Sequence, residues 1–284
     1  MKIAVFVSDN RPLDSKKDSC TYNSYVAYIN TMYCLIHKYD FYYFQPYSSD
    51  SDSSEQNNVY VCRDPNTNEK RHASWAKLIS ASILCNTNNC AYDYVVCIDS
   101  DCVFKNLYKR IESVIDSNPT HDIIVANNSP YHPHLPCCAF FICKNTEWTR
   151  TFLTKWYNYK NPSSDSDDWS RIIDIANRTY KTPQFKLGEY WEQDTLWLMI
   201  QDPDVSSHIH SLEEPIMFAE STDQYLIHLS HERHDIRNPY FRGYVEHLEG
   251  QTKQSFETIL SIIPVIQYDT AQLYTDRSGN SHSH

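Results

Sequence analysis

Glycine is almost missing from this chain, with four in 284 residues. That scarcity removes the glycine-rich phosphate cradles: neither a G-x-G-x-x-G run nor a P-loop pattern occurs. No stretch approaches the roughly eighteen consecutive apolar residues of a membrane span. The opening run Met1–Val7 is too short for a secretory signal and passes straight into polar residues, so it reads as a first strand and the chain as cytoplasmic. Basic charge is short too. Lys and Arg number 25 against 36 Asp and Glu, a net charge of −11, which argues against nucleic acid as a partner because phosphate neutralisation needs clustered cations. The ten cysteines contain no C-x-x-C pair, which argues against a structural zinc site. Without a secretory signal they read as free buried thiols.

What is present alternates. Ile3–Val7, Phe41–Phe44, Val95–Ile98, Asp122–Ala126 and Cys138–Cys143 are short β-rich apolar runs, with further strands near Pro215–Phe218 and Tyr225–Leu229. Between them, Tyr25–His37, Trp75–Leu84, Leu107–Asp116, Thr146–Tyr157, Ser170–Ala176 and Trp191–Ile200 read as helices. In the first, Tyr25, Tyr28, Ile29, Met32, Leu35 and Ile36 form the expected apolar face. Gln45–Asn58 reads as a Ser/Asp-rich surface loop. This order predicts an α/β domain over residues 1–245 with a mostly parallel central sheet flanked by helices. Residues 246–284 form an extension expected to pack on the core and fray at its end.

The run Val95-Val96-Cys97-Ile98-Asp99-Ser100-Asp101 concentrates the chemistry. Two carboxylates at the end of a buried strand need a cation, and they point the same way if the strand continues. Hard oxygen ligands suit Mg²⁺ or Mn²⁺, ions that commonly share their shell with phosphate oxygens. Asp-Ser-Asp also suits an exposed turn.

Six short segments in sequence order resemble the GT-A-fold nucleotide-sugar glycosyltransferases, and among them glycosyltransferase family 34. They are Tyr25…Asn30…Tyr33…His37-Lys38-Tyr39-Asp40-Phe41; Trp75-Ala76-Lys77-Leu78; Asp99-Ser100-Asp101; Phe141-Ile142-Cys143-Lys144-Asn145-Thr146-Glu147-Trp148; Glu192-Gln193-Asp194; and Leu226-Ile227-His228-Leu229. The resemblance implies a Rossmann-like nucleotide-diphospho-sugar transferase fold. It also implies a metal-dependent transfer of a hexose or pentose from a UDP- or GDP-sugar to a glycan or protein-linked sugar acceptor. Asp99 and Asp101 become metal and diphosphate residues under it, and His228 the third metal ligand. An imidazole among oxygens tilts the ion toward Mn²⁺.

Other residues fall around that frame. The donor base is expected over Val7, Ser8 and Asp9, because ligands in open α/β sheets sit at the carboxyl ends of strands. Lys77, beside Trp75, is expected to face the aspartates or the nucleotide, as is Ser100. After His228 the donors His231, Arg233 and Arg237 concentrate, and an arginine fork suits phosphate. Glu192, Gln193 and Asp194 open a helix, where acidic residues commonly cap. Functionally they read as a general base if the reaction inverts, or as stabilisers of the sugar face if it retains, as in family 34. Two rivals stand beside this reading. One is a haloacid-dehalogenase-like phosphohydrolase, which also carries Asp-x-Asp after a strand. The other is a non-catalytic glycan-binding module.

Overall fold

The computed structural model describes residues 1–49, 60–86, 92–128, 132–160, 191–212, 225–229 and 234–271, with 167, 170 and 174–175 as isolated positions. In chain order the elements are β1 (Ile3–Ser8), α1 (Tyr22–His37), β2 (Asp40–Tyr47), the short pair β3 (Cys62–Arg63) and β4 (Lys70–Arg71), a 3₁₀ turn (Ala73–Trp75) running into α2 (Ala76–Asn86), β5 (Tyr94–Ile98), β6 (Cys102–Phe104) and α3 (Ile111–Asp116). There follow β7 (Ile123–Asn128), β8 (His132–Lys144), α4 (Glu147–Tyr157), α5 (Glu192–Met199), α6 (Pro203–His208), β9 (Ile209–Ser211), β10 (Leu226–His228), α7 (His234–Thr252), α8 (Phe256–Ser261) and β11 (Val265–Asp269).

Alternation along β1 decides the layers. Ile3, Val5 and Val7 face a core shared with α1, α7 and α8, while Ala4 and Phe6 face a second core shared with α2 and α4. β5 repeats the pattern, Val96 and Ile98 on one side, Val95 and Cys97 on the other. The seven-stranded sheet runs β11-β2-β1-β5-β8-β7-β9. β11, β2, β1 and β5 are mutually parallel, β8 is antiparallel to both neighbours, and β9 lies parallel to β7. The mostly parallel sheet expected from the sequence is therefore present.

Several boundaries differ from expectation for local reasons. β2 continues past Phe44 to Tyr47 because β11 pairs with its second half, Val265 opposite Tyr43 through Asp269 opposite Tyr47. β1 has already ended by then, its last pair being Ser8 with Phe44, so the absent N–H of Pro46 interrupts no ladder on that side. The helix expected from Leu107 begins only at Ile111, because the Asn106 side chain accepts the N–H groups of Tyr108 and Lys109 and holds a turn there. Leu35 and Ile36, expected on the buried face of α1, are 49% and 43% exposed. α1 is buried on nearly all sides only up to Cys34, where α7 and α8 cover it. Residue 245 lies inside α7, and β11 belongs to the main sheet, so the chain beyond 246 is woven into the fold. Most of the expected helix 170–176, the strand near 215–218, most of the loop 45–58 and the last residues fall outside the described residues.

The shortage of glycine shows in the turns. Lys38, Asn68 and Lys253 occupy left-handed positions at φ 61° that glycine usually takes. Lys38 closes α1 there, its N–H donating to Cys34 O. The nine described cysteines are all buried and free.

Candidate metal and diphosphate site

β5 stops at Ile98, so the two aspartates are not aligned by a continuing strand. A tight turn aligns them instead: Asp99 N donates to Ala139 O at 2.8 Å, and Cys102 N returns to Asp99 O at 3.0 Å. β6 then pairs antiparallel with β10, placing His228 opposite Cys102, and Leu229 N donates to Asp101 O at 3.0 Å. From α1, buried Asn30 clasps β6 by donating to Cys102 O (3.0 Å) and accepting from Phe104 N (3.1 Å). One ligand atom each from Asp99, Asp101 and His228 then lies within 4.8 Å of the others. Two carboxylate oxygens and an imidazole nitrogen at that spacing fit a divalent cation.

Protein cations already sit on both carboxylates. Lys77, 4% exposed, lies 2.6 Å from Asp99 Oδ1 and 2.9 Å from Glu192 Oε1, and donates to Cys138 O at 3.2 Å. Burial opposes its charge, but Asp99 and Glu192 outweigh that and hold the ammonium well above its usual pKa. Asp99 is raised, chiefly by burial, with Lys77 pulling against it and Asp101 adding repulsion. Asp101 goes the other way. Burial would raise it, yet His228 Nε2 at 3.2 Å from Oδ1 and Arg237 Nη2 at 3.3 Å from Oδ2 hold it far below the carboxylate range. The same pairing overcomes burial at His228 and pushes it up to about 10. A ligating imidazole is neutral, so an ion binding here would displace that proton.

The end of β1 is more closed than the sequence suggests. Val7 is a fully buried core residue, so its side chain is unavailable to a ligand. Ser8 Oγ accepts from Ser80 Oγ at 3.2 Å. Asp9, 6% exposed, is gripped by Arg11, whose Nε donates to Oδ1 at 2.9 Å and whose Nη2 pairs with Oδ2. That Nη2 also reaches Ser100 Oγ at 3.1 Å, tying the first strand's end to the Asp99–Cys102 turn. Arg11 lies over one side of the Tyr22 ring at 4.3 Å, and Arg237 also stands over it at 4.9 Å. Arg11 and Tyr22 are the residues sequence reading missed. The only local signal was Asp9-x-Arg11, two apart in a polar loop.

At the start of α5 the three expected side chains separate. Glu192 is buried against Lys77. Gln193 is partly exposed, and its Oε1 accepts from Cys138 N at 2.9 Å, which fixes the amide against β8. Asp194 folds back on its own helix, accepting from Trp191 N at 3.1 Å, and burial pushes its pKa up to about 7. His231 and Arg233 lie outside the described residues.

Asp194 gives a signed pH prediction. The unfolded chain releases this proton near pH 4 and the folded chain near 7, so Asp194 makes stability fall as pH rises through that window. Asn at 194 keeps an oxygen for Trp191 N without a titrating proton. Melting temperatures of wild type and Asp194→Asn should therefore diverge in favour of the variant between about pH 4 and 7, the window of the shift. Parallel curves would show that Asp194 ionises at its ordinary pKa.

No protein-family model matches the sequence, and neither does any curated protein. Solved structures do match the fold. A glycosyltransferase involved in the glycosylation of the major capsid of PBCV-1 superposes with a TM-score of 0.54 at 15% identity, covering 86% of this chain and 100% of that one. The galactosyltransferase LgtC, in complex with donor and acceptor sugar analogs, is 10% identical with a TM-score of 0.38, covering 85% and 95%. Mouse xyloside xylosyltransferase 1 is 8% identical with a TM-score of 0.42, covering 81% and 98%. The chain has the GT-A fold.

Proposed function

We propose that this chain is a metal-dependent glycosyltransferase that moves a hexose or pentose from a nucleotide-diphosphate sugar to a hydroxyl acceptor on a glycan or protein-linked sugar. One observation carries the reading: the Asp99–Asp101–His228 cluster, at the carboxyl end of a central strand in a GT-A fold. Asp99, Asp101 and His228 would hold Mn²⁺ or Mg²⁺, with the imidazole favouring Mn²⁺. When bound, the ion neutralises the departing diphosphate as a Lewis acid.

The chain's own groups would do the rest. Lys77 fixes Asp99 through a direct ion pair, and Glu192 fixes Lys77 in turn. Arg237, and His231 beyond the described residues, would meet the diphosphate. Ser100, held by Arg11, would stiffen the turn between the metal ligands. Ser8 and Asp9 mark the shelf for the donor base, with Val7 contributing backbone only. Gln193, with its amide oxygen held by Cys138 N, would present its amide nitrogen to the donor sugar. Retention suits this arrangement. Inversion needs a carboxylate base on the acceptor hydroxyl, whereas Glu192 is committed to Lys77 and Asp194 to its own helix end.

Against a phosphohydrolase stands the position of the Asp-x-Asp turn: it follows β5, after a complete strand-helix-strand-helix series, rather than the first strand. Thermal melting with UDP- and GDP-sugars, each with and without Mn²⁺, tests the proposal. A transferase should be stabilised by one nucleotide class only when metal is present, by mass action. Stabilisation by simple phosphate esters instead, with release of inorganic phosphate, would favour the hydrolase. Binding of a free glycan with no nucleotide response would favour the non-catalytic module.

A further inference from the structure

Beside the start of α5, two aromatic side chains face solvent. Trp191 is 36% exposed and Tyr60 37%, and the His72 ring joins them, its centre 4.4 Å from that of Trp191 and 6.3 Å from that of Tyr60. Helix chemistry does not account for the tryptophan. It holds the N-cap of α5, a place that Ser, Thr, Asp or Asn normally fills, and its side chain makes no capping hydrogen bond. The ledge is also built rigidly. His72 Nδ1 accepts from Ser74 N at 3.1 Å, which sets the ring at the head of the 3₁₀ turn. Arg71, the residue before it, is buried against Asp64 Oδ2 at 3.0 Å, lies 3.9 Å from the centre of the Trp75 ring and donates to Tyr157 O at 2.6 Å, which fixes the β3–β4 pair. Glu192, the residue after Trp191, is pinned by Trp156 Nε1, which donates to its carbonyl at 2.8 Å.

One chain of contacts links this ledge to the Asp99–Cys102 turn: Glu192 pairs with Lys77, and Lys77 with Asp99. The arginines that suit phosphate approach the turn by a different route. Arg11 reaches Ser100 and Arg237 reaches Asp101, and both stand over Tyr22, which belongs to the core shared with α1 and α7. Trp75 and Leu196, beside the ledge in sequence, belong to the other core. The aromatic side is thus suited to an uncharged partner. A pyranose ring is one, since its C–H groups form an apolar face rimmed by hydroxyls, and an exposed indole offers a matching flat surface. We propose that Tyr60, His72 and Trp191 form the acceptor subsite, with the C–H face of a neutral pyranose stacked on Trp191, His72 bracing the indole and Tyr60 extending the ledge. The proposal rests on the transferase reading above and names its acceptor class: a neutral sugar terminus.

Saturation-transfer NMR on the full chain, with Mg²⁺ and UDP or GDP present, tests this using the methyl glycosides of glucose, galactose, mannose and xylose as probes. At least one should receive saturation on the C–H protons of one ring face. Its Kd should rise at least about tenfold in Trp191→Ala and stay within about threefold of wild type in Trp191→Phe, which keeps a flat ring. The hydrogen bond from Trp191 to Asp194 is made by the backbone, so both variants retain it. If no glycoside binds, or if Trp191→Ala binds the glycosides as wild type does, the subsite is overturned while metal-dependent nucleotide binding still stands. If Trp191→Ala instead loses UDP or GDP affinity and keeps that for glycosides, the ring carries the nucleobase and the acceptor assignment is overturned. If glycoside binding depends on Trp191 but neither UDP nor GDP binds with Mg²⁺ or Mn²⁺, the transferase reading falls and the ledge stands as a sugar-stacking site.

Discussion

Replacing Lys77 with Met should lower the unfolding free energy by about 3–5 kcal/mol at neutral pH, the range for removing one partner from a buried ion network. Met fills much of the lysine volume, so the loss isolates the charge. Two carboxylates lose their counter-ion: Asp99, and Glu192, whose side chain is 4% exposed. Glu192 sits below its ordinary pKa because Lys77 outweighs the penalty of burial. Without Lys77 that balance reverses and Glu192 takes up a proton more readily, so the deficit should shrink as pH falls. Adding Glu192→Gln should recover much of the stability. Denaturant melts of wild type, both single variants and the double variant give the coupling directly. Additive losses would mean that Lys77 contributes by packing alone.

Asp99→Asn and Asp101→Asn should each weaken Mn²⁺-dependent nucleoside-diphosphate binding by on the order of a hundredfold or more, since each removes an anionic ligand from the proposed metal set. Their stabilities should diverge. The fold disfavours a charge at Asp99, where burial dominates, so Asn there should leave the melting temperature equal or higher. At Asp101 the fold favours the charge through His228 and Arg237, so Asn should lower it. Calorimetry at saturating Mn²⁺ checks the first effect and a metal-free melt the second. Wild-type diphosphate affinity in both variants would remove these aspartates from the metal site.

Why some of this was legible in the sequence follows from range. The alternation in Ile3–Val7 and Val95–Ile98 reports a local pleat, and both strands formed where expected with their two faces in separate cores. Asp99, Asp101 and His228 were legible because an ordered series of short segments carried them. What local pattern cannot report is which distant side chain arrives. Lys77 and Glu192 are neighbours only because α2 and α5 pack on the same face of the sheet through α4. Arg11 and Arg237 approach the same ring because α7 returns across α1. Turn geometry was equally hidden. The Asp99–Cys102 turn and the Asn106 turn each depend on a pair of hydrogen bonds that composition does not announce.

β11 sets a clock on assembly. A chain emerging from the ribosome makes β1 and β2 early, yet β2's outer edge is completed only when Val265–Asp269 arrive to pair along Tyr43–Tyr47. Until then the nascent sheet carries a row of open backbone donors and acceptors beside apolar Phe44, the kind of edge that pairs with other chains. Tyr43 N donates to Pro264 O, and Thr270 N to Tyr47 O, so the same late segment fastens both ends of that edge. Vulnerability to aggregation is thereby concentrated in the interval before the C-terminal segment docks, long after the Asp99–Cys102 turn has been synthesised.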